Sequence, residues 1–362
     1  MTNRFYKYFG VFLIGIVFGL LYLFFFQAEN LGIITRKSLK SGSIWTGEAD
    51  PNLSDLAPTP VPPIKILFAG DVMLDRYIRK MAQEVGYEGI IDDSLKELLF
   101  SQQLVVVNLE GPITDQASVS LGSEVGSTNN FIFTFEPAVT NFLADHNIKL
   151  VNLGNNHLTN FGKEGVISTL NYLYQAGIEH FGWVASSTDL EEFNQEYLIL
   201  ELKDYLLGFV NYNQFSNQQF AQVVKTVEQM NSQVDLLIVY THWGNEYAPE
   251  PNAVIVDQAH QLVEAGVDLI IGSHPHVIQP SEDYLDSKIY YSLGNFIFDQ
   301  YFSAEVSRGL LVQLELSQEF DDDEQAKAKI KPSYSEFEVL MESNKPVPVS
   351  YTHLTLPTKR IV

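Results

Sequence analysis

The chain reads as an α/β fold in which largely parallel strands alternate with helices that cover the sheets. Three observations predict it. Short apolar runs of buried-strand length recur along the sequence. Longer segments suited to helices separate them. Each run also stops at a small polar motif, at the strand ends where open α/β sheets gather ligands.

The elements follow in order. Residues 64–69 run into Gly70-Asp71-Val72-Met73, and residues 104–107 into Asn108-Leu109-Glu110-Gly111. Residues 148–153 run into Gly154-Asn155-Asn156-His157, and 236–240 into Thr241-His242-Trp243-Gly244. Residues 267–271 end at Gly272-Ser273-His274-Pro275-His276, and a sixth motif reads Ser292-Leu293-Gly294-Asn295. Helices are expected over 137–146, 163–176, 215–231 and 253–265. Late strands are expected over 309–316 and 330–340, with the acidic run 319–324 as a solvated turn between them. The Gly-, Ser- and Asn-rich stretch 119–130 reads as an exposed loop.

The ends read differently. Residues 1–7 carry Arg4 and Lys7, and the uncharged apolar run 8–26 is long enough to cross a bilayer as one transmembrane helix. Basic residues precede it and Glu29 follows, which predicts a cytoplasmic stub at 1–7 and an extracytoplasmic domain at the cell membrane. A cleaved signal peptide is the rival reading, but its apolar core would be unusually long and no small-x-small site follows Phe26. Residues 27–63 end in closely spaced prolines and read as a tether. The folded domain is expected over 64–348. The tail 349–362 breaks the pattern, resembles translated sequencing-adapter sequence, and is read as non-native; His353 is therefore set aside.

With no cysteine, disulfides and lipoprotein attachment are excluded. A net charge of -23 argues against a nucleic-acid partner. Any anionic substrate must then be drawn in locally, by a metal or a few arginines, against the overall field.

Half of the chain's 8 histidines fall inside the polar motifs. Carboxylate, amide and imidazole donors together suit a divalent ion. His274 and His276, at i and i+2 on a segment that Pro275 keeps from being helical, are expected to point the same way from extended backbone. Asp71 reads as a ligand when taken with these histidines, and His242 and Asn156 add a nitrogen and an oxygen. Glu110 can bridge metals, act as a base, or be satisfied by Arg76. Arg76 can bind an anionic group of a substrate or pair with Asp75 or Glu110. Glu246 is a candidate general acid or base, and Trp243 and Tyr247 can line a pocket. Asn295 can bind substrate or hold a ligand in place. His146, His180 and His260 read as ordinary helix or loop residues.

This motif set resembles the CapA family of membrane-anchored capsule or poly-γ-glutamate synthesis accessory proteins, over roughly residues 64–316. The CapA domain is in turn similar to the calcineurin-like metallophosphoesterases. That resemblance implies a four-layer αββα sandwich and one or two divalent ions (Mn, Fe or Zn) held by Asp71, Asn156, His242, His274 and His276, with Asn108 and the candidate ligand Glu110 standing where phosphoesterases have a bridging aspartate motif. It also implies that His157 assists the leaving group. Met73 stands where phosphoesterases usually have a histidine ligand, and Asn160 replaces an aspartate common in CapA proteins, so the first metal position is weakened. The implied partners are the membrane, an anionic capsule polymer and further capsule-synthesis membrane subunits. An extracytoplasmic phosphoesterase and a non-catalytic polymer-binding scaffold are the alternatives.

Overall fold

A computed structural model describes residues 36–38, 63–182, 193–203, 205–319, 329–343 and 349–353. The expected anchor at 8–26, most of the tether, most of the acidic run and the end of the tail lie outside these residues. Among the described residues, no helix is long and apolar enough to cross a membrane.

The strands in chain order are β1 (Arg36–Ser38), β2 (Ile64–Val72), β3 (Leu104–Leu109), β4 (Ile148–Asn152), β5 (Glu179–Phe181), β6 (Tyr197–Leu202), β7 (Tyr205–Asn213) and β8 (Leu236–His242). They continue as β9 (Leu269–Ser273), β10 (Ser281–Tyr284), β11 (Ser287–Tyr290), β12 (Asn295–Ile297), β13 (Arg308–Glu319), β14 (Lys329–Met341) and β15 (Val349–His353). The helices are α1 (Arg76–Val85), α2 (Asp93–Phe100), α3 (Val139–Asp145), α4 (Gly162–Ala176), α5 (Phe220–Asn231) and α6 (Ala253–Glu264).

The strands form two mixed sheets. One has 7 strands in the order β1-β6-β7-β8-β9-β11-β10; the other has 8, in the order β15-β14-β13-β2-β3-β4-β5, with β12 paired to β2. Side chains alternate across each strand, and the apolar runs feed two cores at once. Ile64, Ile66 and Phe68 face the layer between the sheets, beside Leu198, Phe209 and Ile238 of the other sheet. Leu67 and Ala69 face the opposite way, against Ile78, Leu95, Phe142 and Val166 of α1 to α4. On the far side, Val239 and Ile270 pack on Val223 and Val227 of α5 and Ala259 and Leu262 of α6. The result is four layers, helix–sheet–sheet–helix. It explains why the strand sequences are nearly continuous in apolar residues: both faces are covered.

Several elements differ from the sequence expectation. Helices α1 and α2 and the β6–β7 hairpin were not anticipated, because α1 exposes a charged face and buries Ile78, Met81, Ala82 and the stem of Arg79. The helix expected from 215 begins at Phe220. Before it, Asn213 Oδ1 accepts from the Phe215 amide and Gln218 Oε1 from the Asn213 amide, which fixes a turn instead. Residues 349–353 of the tail pair antiparallel with residues 337–341 of β14.

Candidate metal centre

Parallel register builds the first half of the site. Asp71 lies opposite Asn108, and Asn108 opposite Asn152, on three neighbouring strands of the eight-stranded sheet. The polar residues that end these strands therefore share one level and one face. Just past Asp71 the chain turns into α1, and just past Asn108 it reaches Glu110. Gly70 permits this level to close: a Cβ there would lie 1.8 Å from the Gly294 carbonyl oxygen. The seven-stranded sheet supplies the second half, with His242 opposite Ser273 in the parallel β8–β9 pair.

His274 and His276 do converge, but not from extended backbone. Their φ angles are 94° and 57°, in the left-handed region that non-glycine residues seldom adopt. The strained turn brings their ring centroids to 5.9 Å, against 4.8 Å between His274 and His242.

At the carboxylate end, Asp71 and Glu110 are both fully buried. Asp71 accepts a 2.7 Å hydrogen bond from Asn108 Nδ2, and its Oδ2 lies 3.1 Å from His276 Nδ1. Glu110 Oε1 lies 3.7 Å from His276 Nε2 and 3.9 Å from His157 Nε2, yet neither Glu110 oxygen makes a hydrogen bond of ordinary geometry. Burial, reinforced by the Asp71 charge, holds the Glu110 carboxyl well above the usual carboxylate range.

Ring orientations follow from the neighbours. Asn295 Nδ2 donates to Gln300 Oε1 and the Val306 carbonyl, so its oxygen faces His276 Nδ1 at 2.9 Å and that nitrogen carries the proton. His276 Nε2 is left as a lone pair aimed at Glu110. Ser273 Oγ donates to the Thr241 carbonyl and accepts from His242 Nδ1 at 3.0 Å. His242 Nε2 lies 2.9 Å from Asn156 Oδ1, which brings these two candidate ligand atoms side by side. His274 Nδ1 is buried with no hydrogen-bond partner. Burial lowers His242 well below the ordinary histidine range and His274 to about 3, so neutral imidazoles face the centre.

A divalent cation fits this set. The donors of Asp71, Glu110 and His276 lie within 4.8 Å of one another, and so do those of Glu246, His274 and His276. His276 is common to both groups. Two buried carboxylates lack a compensating cation, and such charge costs several kcal/mol if left unpaired. The mixture of imidazole nitrogen and carboxylate oxygen suits Mn, Fe or Zn.

Other residues take different places from those expected. Arg76 pairs with neither Asp75 nor Glu110: its guanidinium bonds Asp299, with Asn130 at 3.3 Å, and lies over the rings of Phe133 and Phe298. Asp75 is taken by Arg79, Ser118, Ser120 and the Thr134 amide. Asn295 is fully buried with its polar atoms committed, which makes it a positioning residue for His276 rather than a substrate contact. Glu246 is exposed at the rim, and Trp243 belongs to the core with its indole N–H on the Tyr291 carbonyl. Met73 is buried, its sulfur accepting from the Asp75 amide, so it fills the core without facing the centre as a ligand.

His157 also changes character. Asn160 Oδ1 accepts from the Phe133 amide and therefore presents oxygen to His157 Nδ1, 3.1 Å away. The His157 proton sits on Nδ1, and Nε2 faces the site as an acceptor. Burial lowers its pKa to about 4.

Sequence reasoning missed a chain of buried amides. Asn211 Nδ2 donates to Asn152 Oδ1, Asn152 Nδ2 to Asn108 Oδ1, and Asn108 Nδ2 to Asp71. Every donor points toward Asp71, so the chain favours the charged carboxylate. The equal offset of Asn108 and Asn152, each four residues past the start of its strand, was the signal available.

Residues 65–300 match the family described as bacterial capsule synthesis protein PGA_cap. The chain belongs to that family. Among curated relatives, it is similar to the PGA biosynthesis protein CapA of Bacillus subtilis (strain 168), 28% identical over 247 residues, covering 64% of this chain and 63% of the relative. It is 25% identical over 251 residues to the capsule biosynthesis protein CapA of Bacillus anthracis, covering 66% of this chain and 60% of that one. A probable polyglutamine synthesis accessory protein of Mycobacterium tuberculosis is 22% identical over 288 residues, covering 65% and 74%. The chain thus spans less than two thirds of the length of the two Bacillus relatives. Among solved structures, a calcineurin-like phosphoesterase, YfkN, from Bacillus subtilis aligns at 16% identity over 76% of this chain and 91% of that one, with a TM-score of 0.44. All the candidate ligands of this PGA_cap chain, from Asp71 to His276, fall within the matched span.

Proposed function

We propose that this chain is a membrane-anchored accessory protein for synthesis, export or anchoring of poly-γ-glutamate or a related capsule polymer, working through a metallophosphoesterase-like metal site. The observation that carries this reading is the buried Asp71–Glu110 pair beside His276 in a PGA_cap chain, with both Glu110 oxygens unpartnered. The apolar run at 8–26 supports the anchor, with the domain outside the cell and other capsule-synthesis membrane subunits as its partners.

Asp71, Glu110, Asn156, His242, His274 and His276 would hold one or two divalent ions. Bound there, such an ion supplies charge to polarise an anionic group and lowers the pKa of bound water. The protein residues do the rest. Asn108 and Asn295 orient Asp71 and His276, His157 Nε2 offers an acceptor, and Glu246 stands at the open rim for proton transfer to solvent.

Replacing the chromosomal gene by an Asp71→Ala, His276→Ala form tests this reading. Surface anionic polymer is expected to fall in quantity or in attachment. Unchanged quantity and attachment would remove the proposal. The core position of Met73 favours a second reading, a polymer-binding scaffold with a reduced metal set. Turnover of a phosphoester or polymer substrate that depends on added Mn²⁺ or Zn²⁺ would exclude it.

A further inference from the structure

Beside the metal centre lies a cavity of about 380 Å³ whose lining differs from the rest of the surface. Arg76 and Lys80, one helical turn apart on α1, both face it. Among the described lining residues, the single carboxylate is Asp299, and it is spent on Arg76. Lys80 is exposed and forms no ion pair among the described residues. In a chain of net charge -23, this leaves a locally cationic hollow in an anionic surface.

The other walls are apolar. Of the 13 exposed large hydrophobic side chains among the described residues, 5 line this cavity: Leu121, Val125, Phe131, Tyr247 and Phe302. Phe302 is 67% exposed and meets Tyr247 edge-on at 5.2 Å. Exposed apolar groups scattered singly need no explanation, but a cluster around a concave cationic site marks a binding surface. Tyr247 joins the hollow to the edge of the centre: it lines the cavity and its ring lies 6.2 Å from that of His276. The Arg76 Nε is buried with no hydrogen-bond partner.

We propose that this cavity is the subsite for the stretch of anionic polymer adjoining the group at the metal centre, and that it selects carboxylates carried on a hydrocarbon spacer. Lys80 takes a carboxylate beside the Arg76–Asp299 pair, while Phe302, Phe131 and Tyr247 cover the methylene groups that separate it from the next. A dense polyphosphate would match the cations but leave the aromatic wall against charge, which is unfavourable. This assignment rests on the proposed role in capsule-polymer handling.

The test uses the full chain, purified in detergent, titrated with a short γ-linked glutamate oligomer and separately with inorganic polyphosphate of matched charge. Bound metal and thermal midpoint are measured on the same samples. Lys80→Glu should weaken oligomer binding roughly tenfold or more, the worth of a charge-assisted contact, and Lys80→Arg should restore it. Phe302→Ala should weaken it roughly three- to tenfold. Both positions are exposed, so metal content and midpoint should not move. Oligomer affinity unchanged in both variants, no oligomer binding by wild type, or equal Lys80 dependence with tighter binding of polyphosphate would each overturn the subsite. Absence of metal from the wild type would instead overturn the metal-site reading, and a Lys80-dependent affinity would survive it.

Discussion

The two ends of the candidate metal centre come from different sheets and fail differently when emptied. The eight-stranded sheet delivers Asp71 and Glu110, two fully buried carboxylates that share the His276 imidazole, with His157 also beside Glu110. The seven-stranded sheet delivers His242 and leads into His274, both neutral rings at ordinary pH. Without a cation, the carboxylate end must take up a proton, because burial and mutual repulsion penalise the charge. The imidazole end only loses contacts. Charge would therefore make one end depend on a bound cation, and geometry would let the other select it.

The sharpest way to break this comparison is Glu110→Gln. Metal affinity should fall by more than the roughly 10–100-fold expected for loss of an outer partner. Stability of the metal-free protein should be kept or raised. The sign follows from the elevated Glu110 carboxyl: the folded metal-free chain holds a proton there that the unfolded chain releases, so stability falls as pH rises above the ordinary carboxylate range. In the variant that loss disappears. Thermal unfolding of chelator-treated samples across pH reads it, and an unchanged slope would contradict the account.

His274→Ala tests the other end. Metal binding should weaken, and a bound Co²⁺ ion should change its visible spectrum; because the folded His274 pKa of about 3 lies below the ordinary 6.5, the variant should also flatten the loss of metal-free stability as pH falls from about 6.5 toward 3. Asn295→Ala should cost roughly 10–100-fold in metal affinity, because it frees the His276 ring to turn. A smaller effect is expected from His157→Asn. The folded pKa of about 4 lies below the ordinary 6.5, so this residue contributes stability that is full above about pH 6.5 and is lost as pH falls toward 4. The variant should flatten the midpoint-against-pH curve in that window.

Much of this was legible in the sequence. Asp71, Glu110, His242 and the His274–His276 pair stand at the ends of apolar runs; the alternation of those runs with helices gave the α/β plan, and the motifs themselves gave the family resemblance. What stayed hidden depends on distance or on backbone geometry. The partner of Arg76 is Asp299, 223 positions away, and no local pattern announces it. Asn152 and Asn211 look like ordinary strand-end amides until register aligns them with Asp71. The convergence of His274 and His276 was expected for the wrong reason, since positive φ is invisible in residue types that rarely adopt it. Helix α1 was missed because Arg76, Arg79 and Lys80 interrupt its apolar face.

The most direct test is elemental analysis of the purified full chain beside its His276→Ala form, because His276 belongs to both donor groups. Near-stoichiometric Mn, Fe or Zn is expected in the wild type and little or none in the variant. No bound metal after incubation with excess ion, or equal metal in the two proteins, would contradict it.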